Sequence, residues 1–137
     1  MSHTRVLVAH GTRRAEGIAV ISDLAAAVSE QVGEVHTAFV DVLGPNPREA
    51  LAAVAGPATI VPAFLASGYH VNTDLPARVR ESGHRSAVIT PALGPDPAIA
   101  EVMHARLLEA GWEPVDAVVM AAAGSSDPDA RRDLRTA

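Results

Sequence analysis

With 137 residues and a mass of 14.2 kDa, the chain has room for one domain and not for two, because domains of about 100–150 residues are the commonest size. Its 48% hydrophobic and 20% charged residues suit a packed core, and a formal net charge of -5, from 11 basic against 16 acidic residues, supplies no positive field for nucleic acid. Cysteine is absent, which excludes disulfide scaffolds, thiolate metal sites and cysteine nucleophiles and leaves His, Asp and Glu to hold any metal.

The opening Met1-Ser2-His3-Thr4-Arg5 runs straight into Val6-Leu7-Val8-Ala9 without the longer apolar region and cleavage site of a signal peptide, so a cytoplasmic protein is expected. Residues 5–9 read as the first strand and residues 16–31 as the first helix, with Gly33 just past its end. A second strand is expected over 35–42. Asn46-Pro47-Arg48-Glu49 then places a capping residue, a first-turn proline and a glutamate three positions after the cap, which predicts a helix over 47–55. Residues 51–69 carry no charge and are long enough to cross a bilayer, but Gly56-Pro57 and Pro62 divide them into a helix end and a third strand, 58–64, so no membrane span is expected. A helix over 74–82, a strand over 86–90 and a helix over 97–110, capped by Asp96-Pro97, follow.

Several of these strands are near-continuous apolar runs, the pattern of strands covered on both faces, and they alternate with helices. The fold class expected is α/β: a three-layer sandwich with a four- to five-stranded parallel sheet and helices on both faces. The fifth strand would be 117–122 and a fifth helix would start over 127–134. This last segment repeats the first. Val6-Leu7-Val8-Ala9-His10-Gly11-Thr12 superimposes on Val119-Met120-Ala121-Ala122-Ala123-Gly124-Ser125 with His10 replaced by Ala123. Residues 1–115 are therefore expected as one α/β unit, and residues 116–137 as its last strand and helix or as the start of a second repeat.

Ligands of an open parallel sheet bind outside the carboxyl ends of its strands. His10-Gly11-Thr12-Arg13-Arg14 follows the first strand, Asp41 closes the second, and the loop after the third holds Ser67, Gly68 and His70. His10, His70 and Asp41 make a His/His/carboxylate set suited to Fe²⁺, Co²⁺, Ni²⁺ or Zn²⁺, with coordination positions left open for a substrate. His3, His36, His84 and His104 fall elsewhere and read as surface groups.

The words around these residues are Leu7-Val8-Ala9-His10-Gly11-Thr12-Arg13, the block from Pro62 through Gly68-Tyr69-His70 to Asp74-Leu75-Pro76, Leu93-Gly94-Pro95-Asp96-Pro97, and Gly124-Ser125-Ser126-Asp127-Pro128-Asp129. Together they resemble the small, CbiX-type sirohydrochlorin chelatases, and the resemblance covers essentially the whole chain. It implies a class II chelatase fold and insertion of Fe²⁺ or Co²⁺, with Ni²⁺ a further candidate, into sirohydrochlorin for sirohaem or cobalamin biosynthesis. The metal enters as a substrate, and no organic cofactor is implied. The family's two metal-handling histidines map onto His10 and His70, which are the catalytic candidates, and its acidic residue onto Asp41, one methylene shorter than the glutamate of many relatives. Thr12, Arg13, Ser67 and Gly68 are candidates for binding the tetrapyrrole polycarboxylate. The family builds its site from a short chain that pairs with itself or from two fused halves, so a homodimer or a fused second half is the expected partner. Nucleic acid and membrane are not.

Two other readings are open to the sequence. A non-catalytic metal or tetrapyrrole carrier would use the same residues without turnover. A histidine phosphatase also ends a strand in Leu-Val-x-His-Gly, but it needs an arginine before the histidine where this chain has Ala9. An α/β-hydrolase would need a G-x-S-x-G elbow, which is missing.

Overall fold

The computed structural model describes residues 3–137. Its first apolar run forms β1 (Thr4–Ala9), in which Val6, Leu7, Val8 and Ala9 are each no more than 4% exposed. Burial of consecutive residues means that both faces of the strand are covered, and the pairing explains it. β1 lies between β2 (Val35–Phe39) and β3 (Ala58–Pro62), with β4 (Ala87–Ile89) beyond β3, giving the order β2-β1-β3-β4 with every pair parallel.

The helices divide between the two faces. On one side, Val6, Val8, Ala38, Val40, Ala58 and Ile60 pack with Leu51 of α2 (Pro47–Ala52) and with Leu75 and Val79 of α3 (Leu75–Glu81). Leu7 and Val61 point to the other side, where they share a groove with Leu24, Val28 and Val32 of α1 (Ala15–Val32). The expected α/β sandwich is therefore present, with four strands. Its helix starts follow the sequence signals. Glu49 N–H donates to Asn46 Oδ1 (3.0 Å) while Asn46 N–H donates to Glu49 Oε2 (2.9 Å), closing a capping box at α2. Ala98 N–H donates to Asp96 Oδ1 (2.9 Å) at the start of α4 (Pro97–Glu109). The last helix, α5 (Pro128–Thr136), is capped by Asp127 in the same way.

Three expectations are corrected. The second strand ends at Phe39 and not at residue 42: Val42 adopts a left-handed φ of 66°, which turns the chain, and the carbonyl of Pro45 returns to take the free-edge N–H of Phe39 (2.9 Å). Residues 117–122 form no strand. A strand exists only where a neighbour satisfies its backbone, and this segment joins no ladder, leaving Val118, Val119 and Met120 52%, 91% and 48% exposed. Finally, His70 belongs to a helix and not to a loop, because a π-helical turn, His70–Asp74, leads directly into α3. The uncharged stretch 51–69 is divided among α2, β3 and a loop, and no described helix is long and apolar enough to cross a membrane.

Candidate functional site

Parallel pairing fixes which chain segments meet. Ala9 lies beside Phe39 and Val8 beside Pro62, so β1, β2 and β3 deliver their following residues to one edge of the sheet. Asp41 N–H donates to the His10 carbonyl (2.9 Å) and Ala63 N–H to that of Val8 (2.8 Å), which holds the departing segments together for a further step. Two glycines permit the approach. A Cβ on Gly11, whose φ is +104°, would stand 1.9 Å from the Asp41 carbonyl oxygen, and one on Gly94 would stand 2.1 Å from that of Leu65. Neither backbone carbonyl can move aside as a side chain would.

At this edge the imidazoles of His10 and His70 face each other edge to face, with ring centroids 5.1 Å apart and planes at 89°. Phe64, two residues beyond β3, stacks on His70 at 6.4 Å and meets the edge of His10 at 6.5 Å, while Tyr69 lies 5.5 Å from His70. The Nδ1–H of His10 donates to the Gly11 carbonyl (3.2 Å) and the Nδ1–H of His70 to Asp74 Oδ2 (3.0 Å). Both acceptors can only accept, so each ring keeps the Nε2 lone pair free to ligate a metal or take a proton.

Asp74 is placed by the π-helical turn one helical step from His70, and its second oxygen accepts from Arg78 Nε (2.8 Å). Partial burial pushes the Asp74 carboxyl up, but the hydrogen bonds from Arg78 and His70 outweigh burial and hold it below the usual carboxylate range. The same bond to Asp74 raises the Arg78 guanidinium further above its ordinary value. Tyr69, Asp74 and Arg78 also border a polar cleft of about 350 Å³ with Asn46 and Arg48.

The other residues expected at the site divide into those that lie open and those already engaged. Asp41 is exposed at the same edge, but its Oδ1 accepts from Val42 N–H (2.8 Å). Among the described residues no three His, Asp or Glu side chains gather into a metal-holding group, so the structure brings His10 and His70 together as a pair and leaves Asp41 outside it. Thr12 accepts from Arg14 N–H (3.1 Å), and Arg13 next to it is exposed. Ser67 is engaged by the C-terminal helix: its N–H (2.8 Å) and its hydroxyl both donate to Asp133 Oδ2, and these bonds hold the Asp133 carboxyl below its ordinary range. Gly68 lies under Ala130 of the same helix. Phe64, Asp74, Arg78 and Asp133 were not expected as site residues. The signal for two of them is in the sequence, since His70, Asp74 and Arg78 recur at the four-residue spacing that stacks side chains on one helical face. Phe64 and Asp133 depend on tertiary approach and have no such signature.

A family model described as CbiX matches residues 4–110. No curated protein matches the chain. Among solved structures, a CbiX protein of Marinobacter aquaeolei VT8 assigned to cobalamin (vitamin B12) biosynthesis is 24% identical with a TM-score of 0.65, over 80% of this chain and 97% of that one. SirB from Bacillus subtilis with Fe³⁺ is 22% identical with a TM-score of 0.84, over 98% of this chain and 58% of that one. The sirohydrochlorin chelatase SirB from Bacillus subtilis subspecies spizizenii, in complex with cobalt, is 21% identical with a TM-score of 0.84, over 98% and 59%. All three share the fold, and this chain spans little more than half the length of either SirB.

Proposed function

This chain belongs to the CbiX family, and from that membership we propose that it inserts a divalent metal ion into sirohydrochlorin, with His10 and His70 handling the metal. The observation that carries the reading is the facing pair of imidazoles at the carboxyl edge, each with Nδ1 occupied and Nε2 free. Fe²⁺ and Co²⁺ are the leading metals. Iron and cobalt accompany the two SirB relatives, and imidazole ligands suit both, with Ni²⁺ a further candidate.

Insertion exchanges one M²⁺ for two pyrrole N–H protons. The ion must be held by few enough ligands to be given up, and a proton acceptor must stand beside the pyrroles. Two imidazoles meet both needs, each releasing its hold on the metal as its Nε2 takes one of the two protons. Phe64 and Tyr69 flank the pair and give a flat macrocycle an aromatic surface to lie against. Asp41 offsets charge at the edge without entering the pair. Arg13, being exposed, serves the carboxylates of the substrate, and Thr12 and the Gly68 backbone assist it. Ser67 reaches the substrate only after leaving Asp133. No organic cofactor has a role in this chemistry.

We further propose that residues 1–115 form the catalytic unit and that a second α/β unit closes the cleft, either a symmetric copy or a fused half. Two features support it: Val102 of α4 and Val119 of the extended segment are 57% and 91% exposed, and α4 buries no residue. The cytoplasm is the proposed location.

The test is an absorbance assay with sirohydrochlorin in excess over protein and Co²⁺ or Fe²⁺ as the metal. Conversion of many equivalents, above the spontaneous rate, is the expected result. A spectral change that stops at one equivalent per protein identifies a carrier, and release of phosphate from a generic ester with no response to the tetrapyrrole would point to a phosphatase.

A further inference from the structure

We infer that Asp74, clamped by Arg78, is the positioning residue that fixes the His70 imidazole with Nε2 free for the metal; this deepens the functional reading above and rests on it. A histidine free in water populates two tautomers and rotates about two side-chain bonds, whereas a metal ligand must present one lone pair in one direction. His70, Asp74 and Arg78 solve this as a chain along a single helical column. The His70 Nδ1–H donates to Asp74 Oδ2 (3.0 Å), and Asp74 Oδ1 accepts from Arg78 Nε (2.8 Å). Each carboxylate oxygen therefore has its own donor, and the carboxylate cannot swing away from either without losing a charge-assisted bond.

Shielding makes the arrangement firm. The Asp74 side chain is 14% exposed and those of His70 and Arg78 about a third, so water competes poorly for these bonds. Their backbone is equally constrained, because the turn is π-helical, with Leu75 N–H donating to the His70 carbonyl, and such turns recur at functional positions. His10 has no comparable device: its Nδ1–H meets only the neutral carbonyl of Gly11, at 3.2 Å. The two imidazoles thus differ in how they are held, and His70 is the one with a dedicated carboxylate.

The test uses the full chain, free of metal, with Co²⁺ as the probe. Nitrogen NMR of the imidazoles should show His70 as the Nδ1–H tautomer in the unsubstituted protein and as a mixture in Asp74→Ala. Co²⁺ affinity, and the KM for Co²⁺ in the insertion assay, should weaken about 10–100-fold. The KM for sirohydrochlorin should not move, a split that a general loss of structure does not produce. Asp74→Asn preserves shape but leaves one acceptor oxygen for two donors, so it should mix the tautomers, lose part of the Co²⁺ affinity, and decide the matter if Asp74→Ala does not fold. Asp74→Ala or Asp74→Asn protein with unchanged tautomer and unchanged Co²⁺ affinity overturns the inference. Metal insertion that survives His70→Ala overturns instead the functional reading of the site, and the tautomer measurement still reports whether Asp74 sets the ring.

Discussion

His10 and His70 stand where the sheet ends, so their side chains can be removed without opening the core. His10 is exposed and bonds only its neighbour's carbonyl, and removing its ring leaves no buried group unpaired. His70 is part-buried, and removing it leaves Asp74 still bonded to Arg78, at a cost of about 1 kcal/mol. We therefore expect His10→Ala and His70→Ala each to abolish metal insertion while the thermal unfolding midpoint moves by only a few degrees, roughly what ~1 kcal/mol produces in a domain of this size. Circular-dichroism melts run beside the sirohydrochlorin assay check this, and loss of folding in either variant would give these residues a structural role. His104→Ala, on the exposed α4, should leave activity intact.

At the scale of elements, the core depends on a few apolar residues delivered by short helices. Leu51 is 1% exposed and is the main contribution of the six-residue α2 to the packing under β1 and β3. Leu51→Ala should cost about 2–5 kcal/mol in denaturant unfolding, since so short a helix has little freedom to collapse into the space left. A loss under 1 kcal/mol would mean that the α2 face is not closely packed. These elements were legible in the sequence because their signals are local: the apolar run of β1, the capping box at Asn46 and Asp96-Pro97 all act within one turn of where they stand. The same reasoning placed His10 and His70 on one edge, because parallel strands necessarily end together. It did not place His70 on a helix, since a π-helical turn has no capping signature and its Asp74 looks like a helix start while serving as a side-chain partner. It also set the second strand too long, because nothing in the apolar residues up to Val42 signals the left-handed turn that Val42 takes.

Contacts made by α5 are legible only in three dimensions, and they carry a pH dependence. The Asp133 carboxyl is lowered by the two bonds from Ser67, so its contribution is present above the ordinary carboxylate range, about 3.9, and is lost as pH falls through the lower folded value. The Ser67 amide resonance should accordingly stay fixed from neutral pH down to the ordinary carboxylate range and shift only below it. A shift with a midpoint at or above that range would show that α5 does not hold the loop in solution.

For the molecule as a whole, the question is what covers the apolar surface that this fold leaves open. The four-stranded sheet and α1 to α3 bury a core of their own, but α4 has no buried residue, and the extended segment beyond it exposes Val115, Val118, Val119 and Met120. Together with Leu65, Ile99 and Leu134, Met120 lines an apolar cavity of about 440 Å³ between the β3 loop, α4 and α5. Apolar surface gathered in this way seldom stays open to water. The segment also repeats the sequence of β1 up to the histidine, so it has the composition of a central strand and lacks only a sheet to enter. If a second copy supplies that sheet, an isologous pairing would present the same patch twice and bring the His10 and His70 loops of both copies to a common cleft. Light scattering should then give twice the 14.2 kDa of one chain, with the dimer favoured by tetrapyrrole, and substitution of Val119 by Asp should return the monomer and remove activity together. A chain that remains strictly monomeric yet inserts metal at full rate would show that one unit is sufficient for catalysis and that the exposed strand-like segment has no part in the site.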